Sequence, residues 1–189
     1  MHKRDEKGRD LIPLPNKKYN IIYADPAWYF KTYSDKGDKR SAIQHYNCMS
    51  IDDIYNLPIN TISDNDCILF IWVIDPMLPE AIEVIKRWGF KYKTVAFTWV
   101  KQNKKSDGYF TGLGYWTRAN PEMCLLATKG KPKRLSKSVR QLIISKLQEH
   151  SKKPDDIRNR ITELCGDLPR IELFARQRTE GWDCWGNEV

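Results

Sequence analysis

One unbroken apolar segment, Cys67-Ile-Leu-Phe-Ile-Trp-Val73, constrains the fold of this sequence more than any other feature. A run of apolar residues without polar alternation is typical of a strand that is covered on both faces, whereas a strand with one face in water alternates apolar and polar residues. Strands covered on both faces occur in sheets that carry helices on each side. We therefore expect an α/β domain built around this strand.

Strand and helix patterns alternate along the rest of the chain. Short segments rich in β-branched and aromatic residues predict strands over 19–24, 92–100, 121–128, 141–146, 170–175 and a stub at 184–186. A capping-box pattern at Ser50, an Asp75-Pro76 pair and Pro154 predict the starts of three helices. Residues 101–114 are polar and glycine-rich and predict a loop. Together they predict one largely parallel sheet with helices on both faces, in a domain over 17–189 that follows a charged tail over 1–16.

Charge and cysteine content narrow the class of protein. The 32 Lys and Arg residues outnumber the 24 Asp and Glu residues, and the net charge of +8 makes a polyanion a candidate partner. Five cysteines without a CxxC pair, and three scattered histidines, predict neither a zinc site nor a disulfide framework, which suits a reducing cytoplasm. No apolar run approaches the roughly 20 residues of a membrane span, and the N-terminal residues lack the apolar region of a signal peptide.

Asp25-Pro26-Ala27-Trp28 directly follows the first predicted strand. Ligands of open α/β sheets bind beyond the carboxyl ends of the strands. A carboxylate and neighbouring backbone carbonyls offer acceptors for both hydrogens of a nucleobase exocyclic amine, and an aromatic ring offers a surface for stacking. Holding both hydrogens favours the pyramidal nitrogen that can attack an electrophilic carbon. The alternative interpretation is an Asp-Pro turn beside a tryptophan that packs in the core.

Polar side chains at the same predicted edge come from three further segments. Lys153 precedes a predicted helix, where a cation beside unpaired backbone N–H groups suits a carboxylate. Arg176 follows a strand that ends in a small residue, and Asn187 and Glu188 follow the last stub, where polar side chains can bind ribose hydroxyls. The alternatives are a solvated basic loop, an ordinary edge strand and a frayed terminus.

Aromatic rings and a cation are interleaved in one loop, at Tyr109, Phe110, Tyr115, Trp116 and Arg118. Such a set can stack on nucleic-acid bases, and a structural aromatic cluster is the other interpretation. Gly112-Leu-Gly114 in this loop is only part of a dinucleotide fingerprint, because the third glycine and the later acidic residue are absent. This disfavours a nicotinamide-dependent dehydrogenase.

An ordered set of segments covers the chain from Tyr19 to the C terminus. It comprises YADPAW at 23–28, HY at 45–46, MS at 49–50, GYWTR at 114–118, LATKGKP at 126–132, KPDDIR at 153–158, IELFAR at 171–176 and GWDCWGNE at 181–188. In this order the segments resemble the DPPW-type adenine N(6)-methyltransferases. That family is related to the catalytic subunit of the eukaryotic mRNA adenosine methyltransferase and to bacterial and phage DNA enzymes.

The resemblance implies a Rossmann-like methyltransferase sheet in circularly permuted order, with S-adenosylmethionine as methyl donor and no metal. Asp25 would hold the target amine and lie near the donor's amino group. The backbone of Pro26 and Ala27 would take the second amine hydrogen. Trp28 would stack on the target base, and Tyr46 would belong to a mobile loop that closes over it, with residues 29–44 as a lid.

The resemblance also assigns the donor's contacts. Lys153 would bind the methionine carboxylate, while Arg176, Asn187 and Glu188 would bind the ribose or adenine of the donor. Ala27 departs from the family, which has a second proline there, and we expect lost rigidity rather than lost activity because the backbone carbonyl does the work. Arg178 and Thr179 replace residues that often contact the ribose, and their role is open.

The function implied is methylation of the N(6) amine of adenine in DNA, with the base extruded from the helix. The alternatives are the same reaction on RNA, or a partner subunit that binds nucleic acid without catalysis. A chain of 189 residues with a charge of +8 and no appended RNA-binding module favours the DNA enzyme. A homodimer or heterodimer is also compatible with the sequence.

Overall fold

The computed structural model describes residues 12–28, 49–149 and 152–189. Within this part of the chain, seven strands form one sheet in the order β5-β3-β4-β2-β1-β6-β7. The strands are β1 (Tyr19–Ala24), β2 (Ser63–Val73), β3 (Lys91–Gln102), β4 (Glu122–Lys129), β5 (Leu142–Lys146), β6 (Arg170–Leu173) and β7 (Asp183–Trp185).

The sheet is largely parallel, as predicted, with one reversed strand. β4 runs antiparallel to both of its neighbours, β2 and β3. The other neighbouring pairs are parallel. The reversal places the first residue of β4 at the same edge as the last residues of the other strands, and this edge carries the candidate site.

Helices cover both faces of the sheet, which confirms the predicted α/β class. Leu69, Ile71 and Val73 of β2 face a core shared with α1 (Ile51–Tyr55) and α2 (Leu78–Arg87). Ile68, Phe70 and Trp72 alternate with these residues along β2 and face a second core shared with α3 (Asp156–Cys165). The apolar run of β2 therefore reflects burial on two sides.

The helix starts were predicted with mixed success. Ser50 caps α1 as expected, because its hydroxyl oxygen accepts the backbone N–H of Asp53 at 3.0 Å. The start of α2 was wrong: Asp75–Met77 form a 3₁₀ turn, and the α-helix begins at Leu78 with Met77 at the N-cap. Pro76 donates no backbone hydrogen bond, and the tight turn is closed instead by the N–H of Met77 on the carbonyl of Ile74, at 2.9 Å.

Strand ends differ from prediction at two places that matter for the site. β6 ends at Leu173 rather than residue 175, because Phe174 has a φ of +62° and leaves the extended conformation. β3 continues to Gln102, which pairs with Lys146 of β5, so the polar loop begins after residue 102.

The boundary expected between residues 16 and 17 remains a prediction. Residues 1–11 lie outside the described part of the chain. The carbonyl of Ile12 accepts the indole N–H of Trp185 at 3.1 Å, so the expected tail has at least one contact with β7. No helix in the described ranges is long and apolar enough to cross a membrane.

Candidate active site

Three strand ends and one loop bring charged side chains to the carboxyl edge of the sheet. Asp25 follows β1, Lys101 lies near the end of β3, and Glu122 opens the reversed strand β4. Lys153 lies between β5 and α3. These four residues are separated by up to 128 positions in the sequence, yet they form one ion-pair cluster.

Lys153 is the centre of this cluster. Its Nζ lies 3.0 Å from the Asp25 carboxylate and 3.2 Å from Oε2 of Glu122. The same ammonium lies 5.5 Å from the centre of the Trp72 ring, within cation–π range. Lys101 donates to the second oxygen of Glu122 at 2.5 Å. Two cations and two carboxylates thus alternate along one chain of contacts.

The cluster is largely withdrawn from water. The exposed fractions of the side chains are 12% for Lys153, 22% for Asp25 and 14% for Glu122. Charges in such a place interact more strongly than at the surface, and an unpaired member would be costly.

Burial and neighbouring charges move the pKa values of the cluster in different directions. Burial, with a smaller contribution from Glu122, raises the pKa of Asp25 above its ordinary value despite the opposing charge of Lys153. Burial alone would raise the pKa of Glu122, but Lys153 and Lys101 together lower it. Burial would lower the pKa of Lys153, but the two carboxylates raise it, so the ammonium stays charged.

A cavity of about 430 Å³ opens beside the cluster. Its lining includes Asp25, Lys153, Arg176 and Glu188. Its volume is within the range of small-molecule sites. A larger cavity of about 700 Å³ lies between residues 12–17 and β7, and none of these four residues lines it.

A bidentate ion pair forms part of the cavity wall. Arg158 of α3 donates from Nε and Nη2 to the two carboxylate oxygens of Glu172, at 2.8 and 2.7 Å. Burial raises the pKa of Glu172 even though Arg158 opposes the shift. The guanidinium also lies 5.8 Å from the centre of the Tyr23 ring. This fork geometry fixes both side chains, so the wall is preformed.

A close approach of two backbones joins the ends of β6 and β7. The N–H of Ala175 donates to the carbonyl of Trp185 at 3.0 Å. A side chain on Gly186 would overlap the carbonyl oxygen of Ala175, so only glycine fits there. Phe174, at its positive φ, packs edge-on against Trp185 with 5.5 Å between ring centres. These contacts position Arg176 and Glu188 at the cavity.

The structure brings most of the predicted site residues together. Asp25, Lys153, Arg176 and Glu188 line one cavity, and the contact between Asp25 and Lys153 is direct. Asn187 is exposed, next to Glu188 in sequence, and does not line the cavity. Tyr46 and the expected lid over 29–44 lie outside the described residues.

The turn after β1 is tight, and Trp28 is buried. The N–H of Trp28 donates to the carbonyl of Pro26 at 2.9 Å, and Ala27 lies between them. The Trp28 ring packs in the core shared with α1 and α2, only 6% of the residue is exposed, and its indole N–H donates to the carbonyl of Trp72 at 2.9 Å. The packing interpretation of this tryptophan is observed, while its stacking on a base stays a prediction.

Sequence reasoning missed two members of the cluster. Glu122 was placed in the predicted strand over 121–128, whose direction an apolar segment does not reveal, and Lys101 was placed in the predicted loop over 101–114. A charged residue at the start of an apolar strand was the available signal, and it becomes informative only once β4 is known to be reversed. Within the described ranges, no group of three or more His, Cys, Asp or Glu side chains could hold a metal ion.

Comparison with known proteins adds to this geometry. The profile of the family described as MT-A70 matches residues 19–188. The chain is 37% identical over 193 residues to a protein of Mycoplasma sp named Type II methyltransferase M.MunI, with 93% of this chain and 80% of that protein covered. It is 28% identical over 176 residues to the human N(6)-adenosine-methyltransferase catalytic subunit METTL3. A Drosophila melanogaster protein named N(6)-adenosine-methyltransferase MT-A70-like protein is also 28% identical. The chain spans 28% and 27% of the lengths of these last two relatives.

Proposed function

Because the chain belongs to the MT-A70 family of N(6)-adenine methyltransferases, we propose that it methylates the N(6) amine of adenine in DNA with S-adenosylmethionine as donor. The observation that carries the proposal is the contact between Asp25 and Lys153 beside a cavity of small-molecule size. These are the residues to which the sequence assigned the amine and the donor. Their meeting supports a single site for both.

The chemistry of the cavity lining fits S-adenosylmethionine. The donor's amino-acid end carries a carboxylate and an ammonium, which Lys153 and Asp25 complement in charge. Its ribose carries two hydroxyls, which the Glu188 carboxylate and the Arg176 guanidinium suit as acceptor and donor. When bound, S-adenosylmethionine would supply an electrophilic methyl group, which bonds to the amine nitrogen while the sulfur keeps the electron pair of the broken C–S bond, and the nitrogen then releases one proton to solvent.

Asp25 is the residue proposed to act on the target amine. An exocyclic amine delocalises its lone pair into the ring, and a carboxylate that accepts one of its N–H bonds favours the pyramidal, nucleophilic form. The raised pKa of Asp25 makes this carboxylate a stronger acceptor than an ordinary surface aspartate. The backbone carbonyls of Pro26 and Ala27 are the proposed acceptors for the second hydrogen.

Adenine inside a stacked duplex cannot reach this edge of the sheet, so the proposal includes extrusion of the base from the helix. Trp28 supports the turn that carries Asp25 through its bond to Trp72. Stacking of the Trp28 ring on the extruded base would first require the ring to be uncovered.

The choice of DNA over RNA rests on two supports. This chain covers 80% of the Type II methyltransferase but only 28% of the human adenosine methyltransferase subunit. The net charge of +8 was expected to favour DNA, but it suits either polyanion and so does not separate DNA from RNA. The resemblance to bacterial and phage DNA enzymes is therefore the deciding support.

The test is methyl incorporation from labelled S-adenosylmethionine into three polymers of matched sequence: duplex DNA, single-stranded DNA and RNA. Digestion to nucleosides should show N(6)-methyldeoxyadenosine from DNA. Label found in RNA alone would contradict the DNA assignment but keep the reaction. Absence of label from every polymer, with donor binding intact by calorimetry, would instead favour a non-catalytic partner subunit.

A further inference from the structure

The loop between β3 and β4 exposes apolar side chains at its tip. Trp116 is 93% exposed, Tyr115 is 69% exposed and Leu113 is 65% exposed. The Tyr115 and Trp116 rings meet edge-on with 6.4 Å between their centres. A tryptophan with almost its whole surface in water gains nothing from burial in the folded chain, so its position needs another explanation.

The backbone at Trp116 is strained. Its φ is +66°, and the N–H of Thr117 donates to the carbonyl of Tyr115 at 2.8 Å, which closes a γ-turn centred on the tryptophan. The positive-φ γ-turn is rare and costly for a residue with a side chain. Strain held at an exposed aromatic residue points to a role in binding rather than in folding.

The loop is built to hold this turn in place. Gly114 has a φ of +60°, and a side chain there would overlap the carbonyl oxygen of Thr117. Gly112 donates its N–H to the carbonyl of Ala119 at 2.6 Å. At the base of the loop, the Asn120 amide accepts the N–H of Lys101 at 3.0 Å and donates to the Lys101 carbonyl at 2.9 Å. These contacts hold the backbone that carries the tryptophan in one conformation.

The loop also begins and ends beside the candidate active site. It begins after Gln102, one residue beyond Lys101, and ends where β4 begins at Glu122. Lys101 and Glu122 form an ion pair within the cluster that holds Asp25. Its exposed charged residues are Lys104, Lys105, Asp107 and Arg118. Lys104 pairs with Glu149 at 3.3 Å, and the two cations that remain exceed the one anion. This charge suits a polyanion better than an acidic or apolar protein surface.

We propose that Trp116 inserts into the DNA duplex beside the target adenine and occupies the space that the extruded base leaves in the stack, with Arg118 at a neighbouring phosphate. This inference rests on the proposed function. Insertion of an aromatic or apolar side chain compensates for the stacking lost on extrusion. The turn holds the backbone at Trp116 in place before DNA arrives, so little backbone freedom is lost on binding.

The test compares Trp116→Gly, which removes the ring and tolerates the positive φ, with Trp116→Phe, which keeps an aromatic ring. Leu113→Ala is the matched control, since it removes another exposed apolar side chain from the same loop. The substrate is unmethylated genomic DNA amplified in vitro, sheared, and used either as duplex or after denaturation. Circular dichroism checks that each variant is folded.

We expect Trp116→Gly to lower kcat/KM on the duplex by about 10- to 100-fold, the value of one stacking contact. Trp116→Phe should stay within about threefold of the wild type, and Leu113→Ala within about twofold. Activity on denatured strands should change less than activity on the duplex. If the wild type acts on the duplex alone, the proposal is tested by two results: the loss of duplex activity in Trp116→Gly and its retention in Trp116→Phe.

Three results would overturn the insertion. One is duplex activity of Trp116→Gly within about twofold of the wild type. Another is an equal loss on duplex and denatured strands. The third is a sedimentation experiment in which the wild type is a dimer and Trp116→Gly is a monomer. That result would assign Trp116 to contact with a second copy of the chain. Failure of the proposed function is distinguishable, because the wild type itself would then incorporate no methyl.

Discussion

Lys153 is held between two carboxylates, and this single arrangement determines how each residue of the cluster should respond to substitution. Asp25 has a raised pKa and Glu122 a lowered one, although both contact the same ammonium. The pKa values differ because Glu122 also forms an ion pair with Lys101. The ionised form of Asp25 is therefore less stabilised by its neighbours than that of Glu122, as expected of a carboxylate that is to bind a ligand.

Replacing Asp25 with asparagine separates function from stability. Methyl transfer should be abolished, because the amide accepts a hydrogen bond from the amine far less strongly than the carboxylate. The melting temperature should stay the same or rise, since the charge removed is one that burial disfavours. Activity within about tenfold of the wild type in a labelled-methyl assay would contradict the assignment, and Asp53→Asn at the capped start of α1 is the control.

Replacing Lys153 with methionine should be strongly destabilising. The substitution leaves two mostly buried carboxylates without their shared cation, and breaking such a pair costs about 3–5 kcal/mol. Lys152→Met is the matched control, because Lys152 pairs with Asp155 in an exposed setting, where an ion pair contributes roughly 0–1 kcal/mol. Chemical denaturation measures both, and equal losses for the two variants would refute the shared role of Lys153.

The lowered pKa of Glu122 predicts a specific dependence of stability on pH. A carboxyl whose pKa is lower in the folded state stabilises the protein above its unfolded pKa of about 4.3, and this contribution is lost as the pH falls through the folded value. Glu122→Gln should therefore be less stable than the wild type at pH 7. The gap should narrow as the pH falls below about 4, and a gap that stays constant in denaturation curves at pH 3 and 7 would contradict this account.

Among the secondary-structure elements, strands were easier to predict than their directions. The apolar run of β2 and the alternation around it were sufficient to predict an α/β sheet with helices on both faces. The reversal of β4 was not predictable, because its apolar residues 123–127 suit a strand that runs in either direction. That missing direction is why Asp25 and Lys153 were found from the sequence while Glu122 was not.

Local backbone strain also escaped the sequence. The expected strand over 170–175 ends two residues early, at Leu173, because Phe174 has a positive φ. Gly186 allows the backbone after β7 to approach this turn closely. Phenylalanine carries no local signal for such a conformation. The turn nevertheless determines where Arg176 lies relative to the cavity.

Replacing Gly186 with alanine tests that turn. The new methyl group would meet the backbone of Ala175, including its nitrogen at 2.8 Å, so the ends of β6 and β7 must separate. We expect a loss of about 1–3 kcal/mol in stability and at least tenfold weaker binding of S-adenosylhomocysteine in calorimetry. Gly89→Ala, at the end of α2, is the control. Its φ of +85° strains an alanine as well, but the added methyl group there would meet no other atom. It should lose stability without losing affinity.

For the whole molecule, the sequence predicted at which edge of the sheet the site residues lie, but not the distances between their side chains. Parallel strands bring their carboxyl ends to one side, so Asp25, Lys153, Arg176 and Glu188 were expected there from topology alone. Their common cavity depends on side-chain packing that no local pattern encodes. Trp28 illustrates the same limit, because the sequence left its packing open and the structure buries its ring in the core, while its stacking on a base stays a prediction.

We propose that the cavity beside Asp25 and Lys153 binds the methyl donor, and a crystal structure with S-adenosylhomocysteine would decide it. We expect the ligand in the cavity of about 430 Å³, with its carboxylate within hydrogen-bond distance of Lys153 Nζ and its sulfur facing Asp25. Ligand bound instead in the cavity of about 700 Å³ along β7, with the Asp25–Lys153 contact undisturbed, would contradict it.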